Sequence, residues 1–217
     1  MATLLTVLRT GPWHNGHIPC DYREEHVQWL ARQFQRFAPG HDFVCLSNVK
    51  IPGVATLPLR YDWPGWWSKM ELFREDFGPV VYVDLDVVVV GDMTGILEYP
   101  HRFTSWCAPG RGHRVQSSVM AWSGYRPDLF ETFLSRPQHW MALCKTPRCW
   151  GDQGFINRQL RGQWDELGQL FPGAVGSYHL DFDRGDPLPD TRLVVFHGSP
   201  RPWEVCDQHA YIPPLLC

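Results

Sequence analysis

The sequence predicts an α/β fold in which helices flank a mostly parallel central sheet. In the first ninety residues, short apolar runs alternate with segments whose apolar side chains recur at helical spacing, in the order β-α-β-α-β. That order is typical of a parallel sheet covered by helices on both faces. A chain of 217 residues is long enough for one such unit, and we expect residues 1–217 to form a single domain.

The elements of the first half follow one another with short connections. Residues 3–8 (TLLTVL) predict a buried strand, and residues 22–37 carry apolar positions at the spacing of an amphipathic helix. Residues 42–47 (DFVCLS) predict a second strand, and residues 66–76 (WWSKMELFRED) predict a second helix. A third strand is expected within the run VVYVDLDVVVVGD at 80–92.

The second half is less regular. Residues 117–122 (SSVMAW) predict a short strand, residues 127–135 (PDLFETFLS) a helix, and residues 150–160 a loop that runs into a helix. Residues 192–197 (RLVVFH) predict a last apolar strand, and we expect the second half to complete the sheet. Residues 172–191 are rich in Pro, Gly and Asp, and we expect them to form a long surface loop.

The bulk composition excludes several classes of protein. A net charge of −3 argues against coating nucleic acid, since such proteins usually carry a basic stripe. Apolar runs are all shorter than the ~20 residues that a membrane-spanning helix needs. The N-terminal apolar run is not flanked like a signal peptide, and the 7 cysteines show no repeated spacing. We therefore expect a cytoplasmic protein with free thiols.

Two carboxylates stand inside a run of valines that should be among the driest parts of the protein. Unpaired, Asp84 and Asp86 would cost several kcal/mol or more there. Residues i and i+2 of an extended strand point to the same face, so the two acids would converge on one cation if the strand stays extended through Leu85. A hard divalent ion such as Mn²⁺ or Mg²⁺ would relieve their repulsion and bridge to phosphates.

The same residues admit two other interpretations. The acids could simply close a strand and cap the next turn, helped by Asp92. A haloacid-dehalogenase-like phosphatase also places D-x-D after an apolar strand, and would use Asp84 as nucleophile and Asp86 as general acid, with Lys145 and Asp152 completing the site. That motif normally follows the first strand of its domain, whereas here a complete βαβα unit precedes it.

Four short motifs together resemble one enzyme family. The segments WSKMELF, YVDLDVVV, DQGFIN and HGSPRPW occur in the order in which the GT-A glycosyltransferases of family 8 carry a helix lysine, a D-x-D, a DQG-type motif and a late H-G-x-x-K-P-W. The resemblance implies a GT-A-like fold. It further implies that residues 1–92 form the nucleotide-binding half, and that residues 93–217 form the acceptor side and carry the metal-binding histidine.

The resemblance also implies roles for individual residues. Asp84, Asp86 and His197 would bind Mn²⁺, with Mg²⁺ as the alternative, and the ion would hold the diphosphate of a nucleotide-sugar, which we expect to be a UDP-sugar. Asp152 and Gln153 would lie beside the transferred sugar as catalytic residues, although capping of the following helix is an alternative role for Asp152. The donor-binding residues would be Arg9, Thr10, Tyr22, Lys69, Asp84, Leu85, Gly198 and Arg201.

Two departures from the family pattern bear on the donor. Arg201 replaces the family's lysine, which substitutes a planar fork for a point charge and still suits phosphate. Gln116, Ser117 and Ser118 stand where the family usually has Asn-Ser/Ala-Gly, so the donor sugar stays open.

The function expected from the resemblance is transfer of a sugar to an unknown acceptor with retention of anomeric configuration. An inactive relative that binds nucleotide-sugar or glycan is a further alternative, and the cluster Trp63, Trp66 and Trp67 is its best candidate for a sugar-stacking surface.

Two smaller clusters offer weaker signals. The spacing of His14, His17 and Cys20 could suit zinc, but no fourth ligand is evident and we favour an ordinary loop. We expect Cys144 and Cys149, beside the DQG motif, to be free thiols.

Overall fold

The computed structural model describes residues 2–11, 22–110, 112–182 and 185–215. Its strands are β1 (Thr3–Leu8), β2 (Phe43–Ser47), β3 (Ala55–Pro58), β4 (Pro79–Val83), β5 (Val87–Val89), β6 (Phe103–Trp106), β7 (Gln116–Ser123), β8 (Lys145–Thr146), β9 (Cys149–Trp150), β10 (Asp165–Glu166), β11 (Val175–Ser177) and β12 (Leu193–Val195). Its α-helices are α1 (Glu24–Phe37), α2 (Thr94–Glu98), α3 (Pro127–Ser135), α4 (Pro137–Leu143), α5 (Gly151–Leu160) and α6 (Leu167–Leu170), and two 3₁₀ helices span Gly65–Phe73 and Pro202–Glu204.

A seven-stranded sheet in the order β10-β6-β7-β4-β1-β2-β3 forms the centre of the fold. Strand β1 pairs in parallel with both β2 and β4, and the β2–β3 and β6–β10 pairs are parallel as well. Strand β7 alone runs antiparallel to its two neighbours, β4 and β6. The predicted α/β fold with a mostly parallel sheet flanked by helices is therefore confirmed.

A separate hydrophobic cluster packs against each face of this sheet. Along β4, Val81 and Val83 pack on the face covered by α1, together with Trp29. Val80 and Tyr82 point to the other face, which the first 3₁₀ helix, α3 and α5 cover. This alternation follows from the two-residue period of a strand, and it directs Tyr82 toward the helices that carry the site. In the part of the chain that the structure describes, no helix combines the length and apolar character needed to cross a bilayer.

The strand that carries the two aspartates does not stay extended through Leu85, so the condition under which both acids would point to one face is not met. Strand β4 ends at Val83, a turn follows at residues 85–86, and β5 joins a separate three-stranded sheet in the order β11-β12-β5. The backbone N–H of Val87 donates to the carbonyl of Asp84 at 3.2 Å, which closes the turn. The run of valines is continuous in sequence, but its two ends pair with different strands. Asp84 and Asp86 therefore lie in the connection between β4 of the central sheet and β5 of the smaller sheet.

Three further expectations need correction. The segment predicted as a helix at 66–76 is a 3₁₀ helix at Gly65–Phe73. The last strand, β12, pairs with β5 and β11 and does not extend the central sheet. The predicted surface loop at 172–191 contains the largely buried strand β11, whose Gly and Ser gave no hydrophobic signal.

Candidate functional site

A cavity of about 330 Å³ opens at the carboxyl ends of β1 and β4. This is where ligands bind in open α/β sheets, and the volume suits a small-molecule site. All of the predicted site residues except Thr10 line it. They are Arg9, Tyr22, Lys69, Asp84, Leu85, Asp86, Asp152, Gln153, His197, Gly198 and Arg201.

Lys69 connects the D-x-D motif to the DQG motif. It projects from the first 3₁₀ helix, and its Nζ lies 2.8 Å from Oδ1 of Asp84 and 3.2 Å from Oδ2 of Asp152. It also lies 3.4 Å from Oγ of Ser117 at the start of β7. Burial by itself would lower the pKa of Lys69, but the charges of Asp152 and Asp84 outweigh it and raise the pKa above its ordinary value. Lys69 is therefore a buried, charged ammonium group that two carboxylates share.

Asp84 has a second partner in Tyr82, whose phenol donates a hydrogen bond to Oδ1. Burial, followed by the charge of Asp84, raises the pKa of Tyr82 well above its usual value, so the phenol stays a donor. Sequence reasoning did not single out Tyr82. The available signal was its position two residues before Asp84 on a strand, which places both side chains on one face.

Asp86 is buried, 5 % exposed, and receives a hydrogen bond from the guanidinium of Arg201. Tyr22 also donates to its carboxylate. Burial and then the charge of Asp84 raise the pKa of Asp86 to about 6, and the attraction of Arg201 offsets this only in part. The negative charge at Asp86 is therefore incompletely compensated by the protein itself.

His197 follows β12 and faces the same cavity. Its Nε2 lies 2.8 Å from Oγ of Ser177, a residue at the end of the neighbouring strand β11. Such a contact orients an imidazole ring, as the outer partners of ligating histidines do. Ser177 was missed because the sequence placed it in a surface loop.

The donor set fits the predicted ion, but the ligands are not gathered around a common point. Two carboxylates and an imidazole suit Mn²⁺ or Mg²⁺ chemically. Among the described residues, the ligand atoms of Asp84, Asp86 and His197 do not all lie within 4.8 Å of one another. Instead, Lys69 forms an ion pair with Asp84, and Arg201 forms one with Asp86. Arg201 binds Oδ2, one of the two carboxylate oxygens of Asp86, and the metal site stays a prediction.

Asp152 and Gln153 lie in the first turn of α5 and line the cavity. The residue at the N-cap of α5 is Trp150, so the alternative capping role for Asp152 is wrong. The carboxylate of Asp152 turns instead toward Lys69 and is 5 % exposed.

Two indoles border the cavity on the side of Asp152. The rings of Trp66 and Trp150 are 6.0 Å apart between centroids and inclined at 53°. Trp150 is 40 % exposed, whereas Trp63 and Trp67 are buried in the core. The predicted aromatic surface is therefore wrong for Trp63 and Trp67, and Trp150 was missed although it adjoins the DQG motif.

Other predicted positions either do not line the cavity or lie outside the described residues. The N–H of Thr10 donates to Oδ1 of Asn48 at 2.9 Å, so Thr10 anchors its loop. Lys145, which a phosphatase would need, is exposed on β8 and does not line the cavity. Cys144 and Cys149 are free thiols, as predicted. The predictions for His14, His17 and Cys20 lie outside the described residues.

Comparison with known proteins supports the fold through structure alone. No family model and no curated protein matches the sequence. The galactosyltransferase LgtC, solved with donor and acceptor sugar analogs, superposes with a TM-score of 0.62 at 11% identity over 93% of this chain and 89% of LgtC. The chain shares its fold with glycosyltransferases.

Two further solved glycosyltransferase structures are similar in fold to this chain. The glycosyltransferase GlyE of Streptococcus pneumoniae TIGR4 gives a TM-score of 0.61 at 14% identity over 94% of this chain. The bifunctional glycosyltransferase WbbM gives 0.56 at 11% identity over 93%. The chain spans 57% of the length of GlyE and 46% of that of WbbM.

Proposed function

We propose that the protein is a metal-dependent glycosyltransferase that moves a sugar from a UDP-sugar to an acceptor with retention of configuration. The observation that carries this proposal is the convergence of Lys69, Asp84, Asp86, Asp152, His197 and Arg201 on one cavity at the carboxyl edge of the sheet. The fold shared with glycosyltransferases supports the same activity.

Different parts of the cavity lining suit different parts of such a donor. Arg9, which follows β1, and Tyr22 both line the cavity, and we place the base and ribose beside them. Gly198, at φ 104°, has nothing within 4 Å of the position that a Cβ would occupy, so the diphosphate can approach the backbone there. Bound to Asp84, Asp86 and His197, Mn²⁺, or Mg²⁺ as the alternative, would supply positive charge to the diphosphate as a Lewis acid.

Arg201 takes the role of a phosphate clamp in this proposal. In the structure it pairs with Asp86, and its guanidinium carbon lies 5.5 Å from the centroid of the Tyr22 ring. A planar guanidinium binds phosphate oxygens in a bidentate manner. Exchange of Asp86 for the diphosphate would release the carboxylate and place the cation where negative charge grows on the leaving group.

Asp152 and Gln153 would support the sugar as it becomes oxocarbenium-like. Among the described residues that line the cavity, three carry a carboxylate, and Asp152 is the one that does not belong to the D-x-D motif. Because Lys69 engages its charge, Asp152 is better suited to electrostatic support than to accepting a proton. We therefore assign the proton of the acceptor hydroxyl to the leaving diphosphate, which is consistent with attack from the same face and retention.

A panel of UDP-sugars incubated with the protein and Mn²⁺ tests this proposal. We expect slow release of UDP from one of them into water, followed by faster release when the acceptor is found. Asp152→Asn should reduce that release by about 10²–10³-fold, the range for loss of one group that stabilises charge in the transition state. Absence of both UDP release and nucleoside diphosphate binding under any metal would contradict the proposal.

The phosphatase alternative is not favoured by the geometry. Lys69 and Tyr82 hold the carboxylate of Asp84, and Lys145 is exposed elsewhere. We expect Lys145→Ala to leave UDP release unchanged. Release of phosphate from p-nitrophenyl phosphate that disappears in Lys145→Ala would support the phosphatase.

A further inference from the structure

A second polar cluster lies at the edge of the sheet, apart from the proposed donor site. Cys107 and His113 belong to the connection between β6 and β7, and Glu166 ends β10. Their ligand atoms, one sulfur, one imidazole nitrogen and one carboxylate oxygen, all lie within 4.8 Å of one another. Among the described residues, this is the one group of three potential metal ligands whose ligand atoms all lie this close together.

The sheet explains why these residues meet. Strands β6 and β10 are parallel, and Glu166 is in register with Ser105. Strand β6 ends at Trp106, so Cys107 is the first residue after the strand, close to the end of β10. The ring of His113 stacks on the indole of Trp164, with centroids 4.0 Å apart and planes inclined at 6°, so the imidazole plane is held in place.

The distances suit a tetrahedral ion. With metal–ligand bonds of about 2.0–2.3 Å, neighbouring ligand atoms of a tetrahedral zinc site lie roughly 3.3–3.8 Å apart. Nδ1 of His113 lies 3.9 Å from Oε2 of Glu166, which is close to that separation before any ion draws the ligands together. A set of one sulfur, one nitrogen and one oxygen is suited to zinc, whereas calcium and magnesium prefer oxygen ligands alone.

Simpler interpretations explain less of the cluster. The side chain of His113 is 47% exposed, and a surface pair at 3.9 Å contributes little to stability. The thiol of Cys107 hydrogen-bonds to Glu166 and to the backbone of Arg114. A thiol is a weak hydrogen-bonding group, and these bonds do not account for the imidazole of His113 meeting the same point. Activation of that thiol as a nucleophile is disfavoured because burial raises the pKa of Cys107.

We propose that Cys107, His113 and Glu166 bind one zinc ion, with water in the fourth position. The ion would tie Cys107 and His113 to β10. Residues 116–118, which line the donor cavity, follow this connection directly. The site would therefore hold the loop that leads into the cavity wall. It does not depend on the proposed transferase activity.

Cobalt substitution in the metal-free chain of residues 1–217 tests the site. We expect one equivalent of Co²⁺ to give the visible bands of a tetrahedral ion and a near-ultraviolet thiolate-to-cobalt charge-transfer band, and we expect Zn²⁺ to abolish both. Cys107→Ser should remove the charge-transfer band, whereas Cys206→Ser, the control for loss of a partly buried thiol, should keep it. The D-x-D site carries no thiol, so metal bound there cannot give this band.

The His113→Asn variant provides a second test in case Cys107→Ser fails to fold. The side chain of His113 is half exposed, so its replacement should not disturb folding. We expect it to keep the wild-type circular dichroism spectrum and to lose at least about tenfold in Co²⁺ affinity. Zn²⁺ should raise the unfolding temperature of the wild type and not that of His113→Asn. A wild-type chain without the charge-transfer band, or a band that persists in Cys107→Ser, would overturn the proposal.

Discussion

At the scale of single residues, the two acids in the valine run have different electrostatic environments. Asp84 shares the buried ammonium of Lys69 with Asp152, whereas Asp86 depends on Arg201 and Tyr22 and retains a raised pKa. The sequence predicted that these residues would meet, because the motifs stand in a known order. It did not predict which cation pairs with which acid, since that depends on the turn after β4.

The stability of an Asp86→Asn variant follows from the raised pKa. The folded chain holds the Asp86 proton up to about pH 6, whereas the ordinary value is 3.8, so the stabilisation from this proton is complete below about pH 4 and is lost as the pH rises through 6. At about pH 7.5 the ionised carboxyl costs on the order of 1–3 kcal/mol, which the amide removes. We expect Asp86→Asn to raise the free energy of unfolding in urea at pH 7.5 more than at about pH 4.5. Equal changes at the two pH values would contradict this assignment.

Removal of the shared ammonium should have the opposite effect on stability. Lys69→Met leaves the buried carboxylates of Asp84 and Asp152 without their common counter-ion, and breaking a buried pair costs about 3–5 kcal/mol. Denaturant unfolding measures the loss. Lys145→Met, at an exposed lysine, is the matched control and should change the free energy of unfolding by less than about 0.5 kcal/mol. Similar values for the two variants would show that Lys69 does not neutralise the site.

At the scale of secondary-structure elements, periodic segments were predicted well and short or tertiary-dependent ones were not. Helices α1 and α3 and strands β1 and β2 were predicted within a few residues, because their apolar spacing is regular. The break between β4 and β5 was not predicted, since the valines continue across it and only the pairing partners differ. Strand β11 was missed because Gly176 and Ser177 carry no apolar periodicity.

The start of α5 depends on a glycine that packs against an indole. Gly151 has φ 59°, and a Cβ there would lie 2.9 Å from Nε1 of Trp66. We expect Gly151→Ala to lower the free energy of unfolding by about 1–3 kcal/mol through strain and overpacking, and to lower UDP release because Asp152 follows directly.

Gly162→Ala provides a matched control for the backbone strain alone. Gly162 has φ 80°, and nothing lies within 4 Å of its Cβ position. We expect a smaller loss of stability and unchanged UDP release, because Gly162 lies after α5 and away from the cavity. If the two variants lost equal stability and activity, the contact between Gly151 and Trp66 would not position the site.

At the scale of the whole molecule, the topology gathers distant segments into one site. The residues that line the cavity range from Arg9 near the start of the chain to Arg201 near its end, because β1 and β4 of the central sheet and β12 of the smaller sheet all end beside it. All of the residues selected for the site except Thr10 line this cavity. Trp150, Tyr82 and Ser177 were not predicted, because their positions depend on how α5, the strand face and the smaller sheet pack around it.

Calorimetric titration of UDP into the chain, with and without Mn²⁺, is the most direct test of the donor site. The paired use of wild type and Asp86→Asn separates a D-x-D metal site from simple nucleotide binding. We expect the wild type to bind UDP tightly only with Mn²⁺, and Asp86→Asn to lose at least about tenfold in affinity. Binding of UDP that needs neither Mn²⁺ nor Asp86, or no binding by the wild type under either condition, would contradict the assignment of this cavity to a metal-bound nucleotide-sugar.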